Sequence, residues 1–322
     1  MKTIASIALI AIAWLAPAAL AADANYPNKS IRIVVPFPPG GIADVMSRVV
    51  GQKFTETWSQ PVVIENRTGA GGNIGADIVA KSPPDGYTLV MGTIGTHAVN
   101  VSLFSKLPYD PVRDFAPVAL VVEADGLLVL HPSVPVKAVK DLIALARARP
   151  GQLVYASAGN GTAGHLSGEL FKTMAKIDLV HIPYKGNVPA ITDLVGGQTS
   201  MLFATMPTAL PLARAGKLHA LAVTGAHRNP AAPELPAMAE TLPGFEVTNW
   251  IGILAPAGAP PDIVARLNAE IMRIMKAPEV QARLVTEGAK SRVNTPAEFG
   301  AFVKAEITKW GKVIRDSGAR VD

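Results

Sequence analysis

The chain has no cysteine among its 322 residues. Disulfides, thiolate metal sites and a cysteine nucleophile are therefore excluded, and so is the lipid-bearing cysteine of an anchored lipoprotein. About half of the residues are hydrophobic, which is ample material for a core in one large domain or two smaller ones. Fold stability must come from that core.

Long hydrophobic runs are scarce as well. The run at residues 4–15 is shorter than the ~20 residues of a membrane span, and no second run of that length follows it. It lies between Lys2 and the sequence Ala19-Leu20-Ala21, so residues 1–21 have the three regions of a signal peptide. We expect cleavage after Ala21 and export to the periplasm.

Neither sign of charge dominates strongly, since 30 lysines and arginines stand against 25 acidic residues. The basic residues are scattered rather than arranged in a stripe with aromatic residues, so nucleic acid is not an expected partner. The histidines lack H-x-E and H-E-x-x-H spacing, and the glycines at 69–75 match the dinucleotide fingerprint poorly. We therefore expect no metal, no cofactor and no catalytic residues.

From residue 26 onward, short β-branched runs alternate with longer helical segments, which is typical of an α/β fold with a largely parallel sheet. The pattern predicts strands at 31–36, 62–65 and 87–91. It predicts two separate strands at 116–122 and 126–131, and three helices at the C-terminus.

The first strand runs into a loop with two glycines, Gly40 and Gly41, and then into a helix. The first N–H groups of a helix have no intrahelical partner and lie at the positive end of its dipole, so such a loop suits an anion. An ordinary strand–helix turn, with Asp44 as a local cap, is the alternative, and this stretch taken alone favours it.

Residues 156–165 repeat this arrangement after a later strand, again with small residues ahead of a helix. Two such junctions suggest two lobes that face each other. His165 caps the helix or lines the rim of a pocket in one interpretation, and it is a buried structural histidine in the other.

Several segments together resemble the Bug family, the substrate-binding proteins of tripartite tricarboxylate transporters. The resemblance runs in order from Tyr26 to the last helix. Its segments are residues 34–44 (VVPFPPGGIAD), 63–75 (VIENRTGAGGNIG), 84–89 (PDGYTL), 155–162 (YASAGNGT), 181–186 (HIPYKG) and 216–224 (GKLHALAVT).

The resemblance implies a two-lobed periplasmic binding protein of type II, with a mostly parallel sheet flanked by helices in each lobe. Residues 22–122 and 225–322 would form lobe 1, and residues 123–224 would form lobe 2. The protein would be a monomer that captures a small carboxylate or dicarboxylate and delivers it to the membrane permease subunits of the transporter. An exported hydrolase or isomerase on the same fold, or a ligand sensor for a membrane receptor, are the alternatives.

The resemblance also implies the ligand contacts, made mainly by main-chain amides, small hydroxyls and ordered water. In lobe 1 the expected residues are Phe37, Pro39, Gly40, Gly41, Ile42, Ala43, Asp44, Gly95, Thr96 and His97. In lobe 2 they are Ser157, Ala158, Asn160, Gly161, Thr162, His165, Ala204 and Thr205, with Thr162 the first side chain to expect at the ligand.

One departure from the family pattern concerns the third loop of lobe 2. Many members have an acidic residue and a small polar one after the strand at 201–203, where this chain has Ala204-Thr205-Met206. A pocket wall without that carboxylate should accept a ligand whose tail is less polar or differently charged. The amino-acid ligands of the family are therefore disfavoured here. The sequence does not identify the carboxylate.

Overall fold

The computed structural model describes residues 26–321, so the expected signal peptide and its cleavage site lie outside the described residues. Ten strands and ten α-helices are found in this part of the chain. The strands are β1 (Ile31–Val35), β2 (Val62–Asn66), β3 (Thr88–Thr93), β4 (Phe115–Leu130), β5 (Val154–Ser157), β6 (Val180–Pro183), β7 (Met201–Thr205), β8 (His219–Val223), β9 (Thr248–Pro256) and β10 (Ala289–Lys290). The helices are α1 (Ile42–Trp58), α2 (Asn73–Ala80), α3 (Asn100–Leu103), α4 (Val139–Ala148), α5 (Ala163–Ala175), α6 (Asn187–Val195), α7 (Met206–Arg214), α8 (Pro261–Met275), α9 (Pro278–Thr286) and α10 (Pro296–Ser317).

The strands form two sheets that share one long strand. The first sheet has the order β2-β1-β3-β9-β4, with β10 added to β4. Its strands β1, β2, β3 and β4 run in one direction, and β9 and β10 run in the other. In the second sheet β5, β6, β7 and β8 run in one direction, and β4 runs in the other. The prediction of an α/β fold is confirmed: both sheets are mixed, with most strands of each running in one direction.

The long strand β4 changes partners near its middle. Its residues up to Asp125 pair with β9, and its residues from Gly126 onward pair with β7 and β8. The chain returns between the sheets after β8, where the N–H of Thr224 donates to the carbonyl of Gly126. Two segments therefore connect two lobes, each with its own sheet.

The prediction of two separate strands at 116–122 and 126–131 is wrong. Glu123-Ala124-Asp125-Gly126 has the composition of a turn, but it stays extended because Glu123 and Asp125 pair with Trp250 and Thr248 of β9. Tertiary pairing overrides the local preference here.

Helices cover both sheets and join them. Apolar residues of α1 and α8 pack with those of β1, β3, β4 and β9 in one core cluster of the first lobe. The C-terminal helix α10 begins with a capping box at Thr295 and Glu298, and its Trp310 is buried in a cluster that includes residues of both lobes. None of the helices within residues 26–321 is long and apolar enough to cross a membrane.

Candidate functional site

Three loops of the first lobe meet at one edge of its sheet, because they follow the carboxyl ends of the parallel strands β1, β2 and β3. They pack closely: a Cβ on Gly72 would lie 2.7 Å from Cγ2 of Thr96 and 3.1 Å from Cβ of Pro36. The loop after β3 is a single π-helical turn, Gly95–Val99, which continues into α3.

The glycine loop after β1 is open to solvent. Pro39, Gly40 and Gly41 are exposed, and a Cβ on either glycine would meet no atom within 4 Å. Gly40 has φ +90°, which glycine adopts without strain, whereas Gly41 has an ordinary φ of −79°. Gly41 is the N-cap of α1 and makes no side-chain cap bond, so the first N–H groups of this helix have no intrahelical acceptor. Phe37 and Ile42 are half-buried beside them, and Ala43 is buried.

Asp44 braces this loop from within. Its buried carboxylate accepts hydrogen bonds from the N–H of Gly40 (3.0 Å), from Nδ2 of Asn66 (3.0 Å) and from the guanidinium of Arg48 (2.9 Å). Burial alone would raise the pKa of Asp44, but the bonds from Arg48, Gly40 and Asn66 hold it below its usual value. The carboxylate is thus ionised and its acceptor capacity is used, which leaves the amides that follow Gly40 free for another anion.

Thr96 and His97 lie in the interior of the first lobe. Both are fully buried, and Nδ1 of His97 is hydrogen-bonded to Oγ1 of Thr96 at 2.8 Å. Burial lowers the pKa of His97 to about 3, so its imidazole is neutral. The ring packs edge-on against Phe115, and Nε2 has no hydrogen-bond partner among the described residues. In this structure these two side chains shape the π-helical turn and have no access to solvent.

The second lobe presents three more loops at the carboxyl ends of β5, β6 and β7. The β5 and β6 loops are joined by main-chain bonds from the N–H groups of Tyr184 and Gly186 to the carbonyls of Ser157 and Ala158. Ala158 and Asn160 are half-buried in the β5 loop, and Ser157 and Gly161 are buried.

Loops of the two lobes touch at Gly95 and Gly161. A Cβ on Gly95 would lie 3.0 Å from the carbonyl oxygen of Gly161, and a Cβ on Gly161 would lie 2.7 Å from Oδ1 of Asn100. Both residues are buried. The loop after β3 in the first lobe and the loop after β5 in the second lobe are therefore in contact.

Thr162 and His165 both support the second-lobe loop from inside. Oγ1 of Thr162 donates to the carbonyl of Gly159 at 2.6 Å and caps α5 at the N–H of His165. His165 is buried, and its Nδ1 accepts from the N–H of Gly161 at 3.2 Å. The hydroxyl proton of Thr162 is therefore already donated within the loop. His165 is buried and also binds an N–H group just before α5, so it has features of both the capping and the buried interpretations.

In the third loop of the second lobe, Thr205 is hydrogen-bonded to two side chains that the sequence did not single out. Ala204 is buried in an apolar cluster, whereas Thr205 is half-buried at the N-cap of α7. Oγ1 of Thr205 accepts from Nδ2 of Asn187 at 3.3 Å and is bonded to Oγ1 of Thr208 at 3.0 Å. Asn187 and Thr208 were missed, although Asn187 lies four residues after β6 and Thr208 three residues after β7.

Two arginines near the first-lobe loops have carboxylate partners. Arg48 is paired with Asp44, and Arg67 is paired with Glu65. Within residues 26–321, no group of three or more histidine, aspartate or glutamate side chains is placed to hold a metal ion. The arrangement suits recognition of an anion by main-chain N–H groups and hydroxyls.

Fold and site define a class: a two-lobed solute-binding protein with its cleft at the edges of two sheets. The family model of the tripartite tricarboxylate transporter family receptor matches residues 46–319, and the chain belongs to this family. The resemblance to the Bug family is thereby confirmed, as is the expectation of a periplasmic binding protein rather than an enzyme.

Individual relatives agree with this assignment. The chain is 38% identical to BugT of Bordetella pertussis over 313 residues, which is 96% of each protein. A structure from R. palustris solved with adipate is 39% identical, with a TM-score of 0.86, over 92% of this chain and 100% of that one. MatC from Rhodopseudomonas palustris, solved with bound malate, is 36% identical, with a TM-score of 0.81, over 90% of this chain and 100% of that one.

Proposed function

We propose that this protein captures a small organic acid, a carboxylate or dicarboxylate, between its two lobes and delivers it to the permease subunits of a tripartite tricarboxylate-type transporter. The observation that carries the proposal is the exposed loop at Gly40 and Gly41, which offers free N–H groups at a helix N-terminus. It faces a cleft in which Arg48 and Arg67 already have carboxylate partners.

The proposed contacts follow from this geometry. One carboxylate docks on the N–H groups of Gly41, Ile42 and Ala43. The second lobe closes on the rest of the molecule with the loop that contains Ala158 and Asn160 and with the hydroxyl of Thr205. Because Thr205 offers this ligand end a hydroxyl and no negative charge, we propose a ligand whose far end carries no ammonium group.

We further propose lobe boundaries at 22–122 plus 225–322 and at 123–224. The partner change of β4 between Asp125 and Gly126, and the bond from Thr224 to Gly126, support crossing points within a few residues of these limits. The mature protein would begin at Ala22 and act as a monomer.

A thermal-shift series tests the ligand class. Mono-, di- and tricarboxylates, with adipate and malate among them, are compared with their neutral amides. A ligand at 100 times its dissociation constant adds about 2.7 kcal/mol to the free energy of unfolding. No stabilisation by any carboxylate, or equal stabilisation by the amides, would overturn the proposal.

A further inference from the structure

The second-lobe loop rests on two histidines that lie beneath the proposed cleft. The N–H of Gly161 donates to Nδ1 of His165 at 3.2 Å. Oγ of Ser157 is bonded to Nε2 of His181 at 2.7 Å, and it also accepts from the N–H of Gly159 at 3.1 Å. Both ends of the loop are thus tied to an imidazole nitrogen.

The hydrogen bonds fix the form of His165. A backbone N–H needs a lone pair on Nδ1, so the proton of this imidazole must be on Nε2, and an imidazolium could not accept the bond. At the other end, a neutral His181 with its proton on Nδ1 accepts from Ser157. With a proton on Nε2 the ring donates to Ser157, whose own proton then turns to the Gly159 carbonyl at 3.2 Å.

The surroundings keep both rings uncharged. His181 is stacked between His165, at 4.5 Å between ring centroids, and Tyr155, at 4.6 Å. Burial lowers the pKa of His165 to about 4 and that of His181 to about 3, with added repulsion from Lys172 on both and from His165 on His181. Glu169 opposes the shift of His181, but its carboxylate already binds the hydroxyl of Tyr155 and the ammonium of Lys172.

We propose that His165 and His181 are positioning residues which, as a stacked neutral pair, hold the Ser157–Gly161 loop in the conformation that closes on the ligand. This inference rests on the proposed function of that loop. Neither ring needs to touch the ligand. Instead, His165 accepts the N–H of Gly161, and His181 orients Ser157 to accept the N–H of Gly159. The other N–H groups of the loop remain for the ligand.

Substitution of His165 separates hydrogen bonding from bulk. In His165→Asn, the amide oxygen can take the place of Nδ1 and accept from Gly161. In His165→Leu, that N–H is left buried without a partner, so affinity should fall roughly fivefold or more.

The matched control is His131→Leu, because Nδ1 of His131 also accepts an N–H, that of Ser133, at 3.2 Å. His131 follows β4 at the opposite edge of the second sheet, so this variant should bind as wild type does.

The measurement is calorimetric titration with adipate and with malate at pH 7 and at pH 4, with circular dichroism as the check on folding. At pH 4, about half of the His165 imidazole is charged, so wild type should lose about twofold more affinity than His165→Asn, which has no titrating group at this position. Protonation of the ligand itself affects both proteins equally. Equal binding by folded His165→Leu and wild type would overturn the proposal.

Nitrogen NMR of the wild-type imidazoles keeps the test independent of the variants. A neutral His165 with its proton on Nε2 at pH 7 is expected, and a proton on Nδ1 would overturn the proposal. If no carboxylate binds wild type at all, the proposed function fails instead.

Discussion

At the scale of single residues, the candidate side chains divide into those that face the cleft and those that brace it. Gly40 and Gly41 are open to solvent, whereas Asp44 and Thr162 are hydrogen-bonded within their own loops. Sequence alone marked these loops as candidates, because glycines after a strand are visible in the pattern. It could not separate contact from brace, since a polar residue's partner depends on tertiary packing.

Gly41→Asp should abolish binding while α1 remains intact. The backbone at Gly41 suits any residue and a Cβ there meets no atom, and a carboxylate at a helix N-terminus stabilises the helix by about 0.3–1 kcal/mol. Two like charges about 4 Å apart near a protein surface repel by about 4 kcal/mol, so the affinity for adipate or malate should fall more than tenfold.

Gly41→Asn is the matched control, because it adds nearly the same volume without charge. Calorimetry on both variants separates the two causes. If Gly41→Asp binds as tightly as Gly41→Asn and wild type do, the carboxylate does not dock on this loop.

Thr162→Ala should act first on stability. The hydroxyl bonds to Gly159 and caps α5, and loss of an N-cap costs about 0.5–2 kcal/mol. Urea denaturation should show this decrease, and Thr162→Ser should restore most of it. A normal free energy of unfolding together with weakened binding would favour direct contact between Thr162 and the ligand.

At the scale of elements, the first three strands begin and end within two residues of their predicted positions, and the three predicted C-terminal helices are present as α8, α9 and α10. The fusion of two predicted strands into β4 was not foreseen, because its cause is β9, more than 120 residues away. The π-helical turn Gly95–Val99 was missed for a related reason: Thr93, Thr96 and Tyr109 stabilise it through side-chain bonds that have no periodic signature.

Gly95→Ala should hinder closure without unfolding either lobe. The added methyl carbon would lie 3.0 Å from the carbonyl of Gly161, a backbone atom that can move only with its loop. Small-angle scattering should show a larger radius of gyration at saturating ligand than for wild type, and affinity should fall. Gly196→Ala is the control, since a Cβ there would meet only its own helix backbone at 3.5 Å. Identical scattering of Gly95→Ala and wild type would mean that this contact does not limit closure.

At the scale of the whole molecule, the free energy of unfolding should decrease as the pH falls from about 6.5 toward 4. His97, His165 and His181 have pKa values lowered by burial to about 3, about 4 and about 3. Their unfolded forms bind protons first, so the stability due to neutral imidazoles is complete above pH 6.5 and is lost below it.

Asp44 adds to this trend with the same sign at lower pH, because its lowered pKa stabilises the fold only while the carboxylate is ionised. Urea denaturation of wild type and His97→Leu at pH 7, 5.5 and 4.5 measures the slope. The variant should lose less stability than wild type on acidification, and parallel slopes would contradict the assignment of His97 as a buried neutral group.

The shared strand β4 also has a consequence for the order in which the protein folds. The strands of the second sheet all lie between residues 126 and 223, whereas β9, at residues 248–256, lies between β3 and β4 in the first sheet. When the chain is made from its N-terminus, β1 can pair with β2 and β3, but the other edge of β3 must wait for β9, which comes more than 150 residues later. The second sheet, whose strands are all complete by residue 223, can therefore assemble first, and the edge of β3 that pairs with β9 stays exposed for longest.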